Sequence, residues 1–261
     1  MIEAARELIQ YRHLLFTLTW REIKIRYKQT VMGFLWALLM PMMVVAAGIF
    51  VRKAFSVISG KPMEYEALIS VMVKALPWAF FAGSIKTASM SLVANSNLVT
   101  KIYFPREVFP FSSILAQLFD FAVAASLLII LIPFSGLELG MNAAWFPFLL
   151  LLLIILTAGF GLLLSCATLF FRDVKYIVEI VMTFGILFTP VFYDAKMFGE
   201  WKYVLLLNPV GAILEGMNEV LVLNRAPDPF WLVYSISWAL GSLFVAWLIF
   251  DNAESAFAET I

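Results

Sequence analysis

Asn95-Ser-Asn-Leu-Val-Thr-Lys-Ile-Tyr-Phe-Pro-Arg-Glu-Val-Phe-Pro110 separates two long apolar stretches with amides, charges and prolines. In a chain that is 63% hydrophobic, such a run must meet water or a soluble partner. The stretches on either side each reach the roughly 20 residues that carry a helix across a bilayer. Helix, polar loop, helix is the unit from which the rest is read, and it makes the chain an all-α polytopic membrane protein.

Outward from this loop, six spans are expected at approximately 31 to 51, 67 to 94, 110 to 132, 145 to 170, 174 to 193 and 230 to 250. A mean hydropathy of +0.94 with 14% charged residues excludes an ordinary soluble core. Residues 1 to 30 read as an N-terminal amphipathic interface helix and 31 to 261 as a single transmembrane domain with a docking loop at 95 to 109. Between spans five and six, 194 to 229 is too apolar for a loop and too interrupted to cross. Two short helices, broken at Asn208-Pro209 and dipping into the bilayer from outside, fit it. Six spans put both termini on one side. That side carries ten Lys and Arg against six on the other, so the termini, with the short C-terminal tail, are expected in the cytoplasm.

Composition excludes several functions. Net charge is zero, so nothing draws the chain as a whole to nucleic acid. Cys166 is the single cysteine, which rules out an intrachain disulfide and suits a small packing residue. His13 is the single histidine and lies in the N-terminal segment, so no His-based metal cluster and no Ser-His pair are expected within the membrane. No G-x-x-x-x-G-K-[ST] loop occurs. The chain is therefore read as a transport permease, not an enzyme, with no cofactor of its own. The N-terminus, with Arg6, Arg12, Arg21, Lys24, Arg26 and Lys28, lacks the pattern of a cleaved signal.

Ionisable groups inside spans are functional suspects. Lys86, nine residues before Asn95, and Asp120, ten after Pro110, lie at similar depth from one side, roughly 13 to 15 Å at 1.5 Å per residue. They are expected to pair, either as a structural bridge or as a gating or proton-relay couple. Glu179 is expected to pair with Lys175 at i,i+4, and Lys74 to snorkel to the opposite interface. Leu8, Tyr11, Leu15 and Leu18 recur at helical spacing with Arg21, Lys24 and Lys28 beyond them. That segment is either a plain anchor or a contact for an anionic headgroup or pyrophosphate. Phe34, Trp36, Phe184, Phe188 and Tyr193 are either belt residues or a stacked aromatic path for sugars.

Three segments, in order and spaced over nearly the whole chain, resemble the membrane subunits of type-2 ABC exporters. They are Ile25-Arg-Tyr-Lys-Gln-Thr-Val-Met-Gly-Phe-Leu-Trp-Ala-Leu-Leu-Met-Pro41, then Asn97 to Pro110, then Phe171-Arg-Asp-Val-Lys-Tyr-Ile-Val178 with Thr189-Pro-Val-Phe-Tyr193 and Leu207-Asn-Pro209. The similarity is to the polysaccharide and polyol-phosphate branch, which includes O-antigen and teichoic acid exporters. It implies a homodimer in the bacterial inner membrane, paired with two copies of a P-loop subunit that holds the ATP and Mg. It implies coupling through Asn97, Lys101, Phe104, Pro105, Arg106 and Glu107, and an external gate at Asn208 and Pro209. The implied substrate is an undecaprenyl-pyrophosphate-linked glycan, its pyrophosphate met by Arg21, Lys24, Arg26 or Lys28, with Phe34, Trp36, Phe184, Phe188 and Tyr193 along the glycan channel. Alternatives are a drug, haem or other amphiphile exporter of the same superfamily, or a proton-coupled lipid flippase using Lys86 and Asp120. Because the loop lies outside the spans, replacing Phe104, Pro105 and Arg106 is expected to spare folding.

Overall fold

Without water to serve them, backbone N–H and C=O groups in apolar segments must be satisfied within the segment. The chain does this with helices alone among the described residues, which in this computed structural model are 10–28, 35–60, 65–101, 104–134, 140–254 and 257. In chain order the α-helices are α1 (Arg12–Tyr27), α2 (Trp36–Ser59), α3 (Tyr65–Ala94), α4 (Ser96–Lys101), α5 (Val108–Leu131), α6 (Phe146–Phe170), α7 (Val174–Phe188), α8 (Lys202–Leu206), α9 (Pro209–Leu221) and α10 (Pro229–Glu254).

Five stretches are long and apolar enough to cross a membrane: Trp36–Ile58, Glu66–Ala94, Val108–Leu131, Met141–Phe170 and Pro229–Glu254. Each matches an expected span. The first runs beyond its expected end because Arg52 is satisfied inside the bundle by Asp194, Ser70 and the Ala67 carbonyl, so the helix need not stop at a charge. It ends at Gly60, whose left-handed φ of 67° only glycine adopts without strain. The stretch expected as span five is shorter than read. α7 has 15 residues, about 22 Å of helix against a core of about 30 Å. Pro190 can donate no hydrogen bond and pushes Thr189 into an extended conformation (φ −104°, ψ 138°), which ends the helix there.

The helix α3 is the axis of the bundle: 78% of its most apolar window is buried, against 11% for α2. Around it pack α2, α5, α6, α7 and α9, while α10 lies along α6 and α1 lies on α5 through Leu18 and Ile23. As expected, the 194 to 229 stretch breaks at Asn208-Pro209. Its longer helix, α9, is buried over Val210–Asn218 against α3, α6 and α10. A second, smaller core gathers Leu18, Leu92, Phe104, Phe109, Trp247, Phe250 and Phe257 at the α1 end of the bundle.

Lipid-embedded helices hold together chiefly by close packing. At Gly159, α6 touches the backbone of α10: a Cβ there would lie 2.7 Å from Leu243 N and 2.8 Å from Ser242 C. Gly159→Ala is expected to cost about 1–3 kcal/mol and lower the unfolding temperature of the purified chain. Gly241→Ala, where a Cβ meets nothing within 4 Å, is the control. Equal unfolding temperatures for both variants would show that α6 and α10 do not meet so closely.

Candidate functional site

Between α2, α3, α5 and α7 lies a cleft of about 720 Å³, of the size that holds a drug-sized ligand. Met40, Val44, Leu76, Phe80, Phe121 and Ile186 give it apolar walls, and its polar side groups collect at the α1 end. There Asp120 accepts hydrogen bonds from the Arg26 guanidinium and the Tyr27 hydroxyl, both from the last turn of α1. Burial, reinforced by the Asp120 carboxylate, pushes the Tyr27 phenol well above its ordinary range, so it stays a donor. One turn earlier, Glu22 accepts from Ser112 and Ser113 of α5 at 3.2 and 3.0 Å. Burial raises its carboxyl despite those bonds and the neighbouring Arg21 and Arg26. Together these contacts fix α1 to α5.

The expected Lys86–Asp120 pair is not formed. Lys86 Nζ donates instead to Glu179 Oε1 of α7 at 2.7 Å, which leaves Lys175 to lie over the Tyr176 ring at 4.7 Å. The two residues share a depth and line the same cleft, but Lys86 faces α7 and Asp120 faces α1. Depth follows from counting residues, whereas facing depends on which helix packs where.

Of the four basic residues expected to meet pyrophosphate, two are engaged within the chain. Arg21 Nη2 donates to Asn95 Oδ1 at 2.6 Å and Arg26 is held by Asp120. Guanidinium forks match such planar acceptors better than an ammonium does. Lys24, over the Trp20 ring at 5.7 Å, and Lys28 remain exposed. The five channel aromatics also separate. Trp36 lines the cleft and Phe34 lies outside the described residues. Phe184 and Phe188 point away from the cleft with Ile177, Ile180, Val181 and Leu187, as one exposed apolar stripe on α7. Tyr193 is half-buried, its hydroxyl donating to the Leu187 carbonyl at 2.9 Å and its ring against Phe198.

The 95 to 109 loop is half closed. Asn97 on α4 is exposed, and the Lys101 side chain lies outside the described residues. After Pro105 the loop turns inward. Phe104 is buried against Phe109 with ring centroids 5.4 Å apart, Glu107 is buried, and Arg106 donates to the Glu254 carbonyl and covers the Phe257 ring. The described residues of 95 to 107 lie outside the long apolar helices, as expected, but the expectation that replacing Phe104 spares folding is corrected by its apolar face, which with Val108 and Phe109 completes the smaller core.

At the far end of the bundle is a charge network that the sequence reading missed. Lys74 is fully buried (0% exposed), not snorkelling, because α3 is the central helix and leaves it no route to an interface. Its ammonium donates to the Tyr193 carbonyl at 2.7 Å and Asp194 Oδ1 at 2.8 Å, and lies 3.6 Å from Glu215 Oε2. Arg52 grips the other oxygen of Asp194. Burial alone would raise the Asp194 carboxyl, but Lys74 and Arg52 outweigh it and hold it below the usual range. The readable signal was a lysine, Lys74, within one apolar run and a glutamate, Glu215, within another.

Asn208 and Pro209 form a helix start beside this network. Asn208 Oδ1 caps α9 by accepting from Val210 N at 3.1 Å, its Nδ2 donates to Thr189 Oγ1 at 2.9 Å, and Pro209 opens the helix. The pair ties the end of α7 to the start of α9.

The cleft with its charged mouth thus sits in a bundle that has five membrane-length helices. Over its full length the chain is 29% identical to the O-antigen export system permease protein RfbA of Myxococcus xanthus, across the whole of both chains. A Klebsiella pneumoniae protein of the same name is 26% identical over 95% of each chain. The ABC-2 type transporter family matches residues 13–222, and the chain belongs to that family of membrane subunits.

Proposed function

We propose that the chain is the membrane subunit of an exporter that carries an undecaprenyl-pyrophosphate-linked polysaccharide across the inner membrane, driven by ATP hydrolysis on a separate P-loop subunit. The observation that carries this reading is the cleft, with apolar walls suited to a lipid-borne cargo and a polar mouth beside α1, where Lys24 and Lys28 stay exposed to meet an anion. The O-antigen export names of the relatives support the glycan. In this reading α7 with Thr189–Tyr193 completes a sixth crossing, α8 and α9 dip in from outside, and both termini lie in the cytoplasm of a cell with an inner membrane. Two copies assemble, and the apolar stripe of Phe184 and Phe188 on α7 faces either lipid or the second copy. Two ATP-binding subunits dock on the Asn97 face.

Deleting the gene is expected to abolish the glycan at the cell surface and to accumulate lipid-linked glycan on the cytoplasmic side. Restoring the gene with Lys24 and Lys28 changed to glutamate should recover basal but not substrate-stimulated ATPase of the assembled transporter. Glycan reaching the surface in a deletion strain that encodes no second exporter would rule out polysaccharide export.

A further inference from the structure

Beyond the buried network, at the end of the bundle opposite α1, opens a cavity of about 430 Å³ lined by Arg52, Ser70, Asp194, Glu215 and Asn218 among others. Two of its acceptor atoms lack a hydrogen bond. Glu215 and Asn218 are 6% and 3% exposed, and Glu215 Oε2 and Asn218 Oδ1 are buried without a hydrogen bond. The neighbouring Lys74 ammonium, 3.6 Å from Glu215 Oε2, is beyond hydrogen-bond length and is committed to Tyr193 and Asp194. Leaving such acceptors unserved costs stability, so two of them side by side call for an occupant.

Three residues apart on α9, Glu215 and Asn218 share one face of the helix. We propose that they form a subsite for the hydroxyl groups of a neutral sugar. The chemistry narrows the choice of ligand. An anion would meet the carboxylates of Asp194 and Glu215. A metal ion would meet the positive charges of Arg52 and Lys74, and no metal-ligand cluster is present among the described residues. Neutral hydroxyls donate to both free acceptors and accept from the Asn218 amide, and the cavity falls in the size range of small-molecule sites, so that one sugar ring fits. The assignment of those hydroxyls to an exported glycan, held where it leaves the membrane, rests on the export reading above; the unserved acceptors do not.

The full chain, purified in lipid nanodiscs, is tested by saturation-transfer NMR with free D-mannose, D-galactose and N-acetyl-D-glucosamine as probes. Transfer to at least one sugar is expected, with apparent affinity weakened about tenfold in Asn218→Leu, the effect of about 1.4 kcal/mol. Glu215→Gln, which keeps the shape, should weaken it similarly and serves if Asn218→Leu does not fold. No transfer to any of the three sugars, or transfer unchanged in a folded variant, would overturn the subsite and leave the acceptors to water. Transfer lost in the variants while a deletion strain still exports glycan would overturn the export reading alone. Export lost on deletion with no transfer in the wild type would overturn the subsite alone.

Discussion

Lys74→Met is expected to destabilise the purified chain by about 3–5 kcal/mol, because removing one member of a buried ion network strands the charge it neutralised. Methionine matches the length and apolar stem of lysine, so little packing is lost and the effect is electrostatic. Asp194 would keep Arg52, whereas Glu215 would lose its nearest cation, the Lys74 ammonium at 3.6 Å, and the Tyr193 carbonyl would lose its donor. Burial already pushes the Glu215 carboxyl up despite Lys74, and without Lys74 it should carry a proton or break the packing of α9. The double variant Lys74→Met, Glu215→Leu removes both charges and should recover most of the loss, since a buried ion pair replaced by well-packed apolar side chains is often neutral. Unfolding of the three proteins in the same detergent measures this. A single variant as stable as the wild type would mean that Lys74 is solvated and the network is not what holds α3, α9 and the Tyr193-Asp194 turn together.

The same residue marks how far the sequence could be read. Hydropathy placed five of the six expected spans on membrane-length helices, because a run of apolar residues fixes length and depth. Direction around each helix is not encoded in such runs. Lys86 and Asp120 have a legible depth but are expected with the wrong neighbour, and Lys74 is expected to reach an interface that it does not, since all-round apolar helices such as α3 carry no polar stripe to show which side faces lipid. Arg52 reads as the end of a span because its partner Asp194 lies 142 positions away in the chain. Pro190, by contrast, was visible, and its effect on Thr189 could have shortened the expected fifth span. The loop residues Phe104, Pro105 and Arg106 read as dispensable for folding for a related reason: polar neighbours such as Asn95 and Asn97 hide the apolar half of the segment, which α1, α3, α6 and α10 cover.

The two ends of the molecule are built differently, and this bears on how a push would travel. At the far end, charges buried around Lys74 join α2, α3, the Tyr193-Asp194 turn and α9. At the α1 end, aromatic and aliphatic packing joins the loop to α1, α3, α6 and α10, and the charged groups beside it, Arg26 with Asp120 and Arg106 with Glu254, are paired one to one. A passive spacer would not need a stiff joint at the place where a soluble subunit is proposed to press.

Phe104→Ala should therefore cost both stability and transport. Phe104 is 8% exposed and packs against Phe109 in the cluster that also holds Leu18, Leu92, Trp247 and Phe250, so truncating it opens a cavity where four parts of the chain meet. Large-to-small aromatic changes of this kind cost about 3–5 kcal/mol. The loss falls on the element that would relay ATP-driven movement from Asn97 to α1 and α10, and a loosened element transmits less. Surface glycan should drop sharply even in cells grown cool enough to retain folded protein. Phe104→Leu, which refills most of the volume, should restore both, and Asn97→Ala, on the exposed face of α4, should lower substrate-stimulated ATPase with little effect on stability. Normal stability in Phe104→Ala would show that the loop is not packed as described. A destabilised but fully exporting protein would keep the packing and remove the loop from the coupling path.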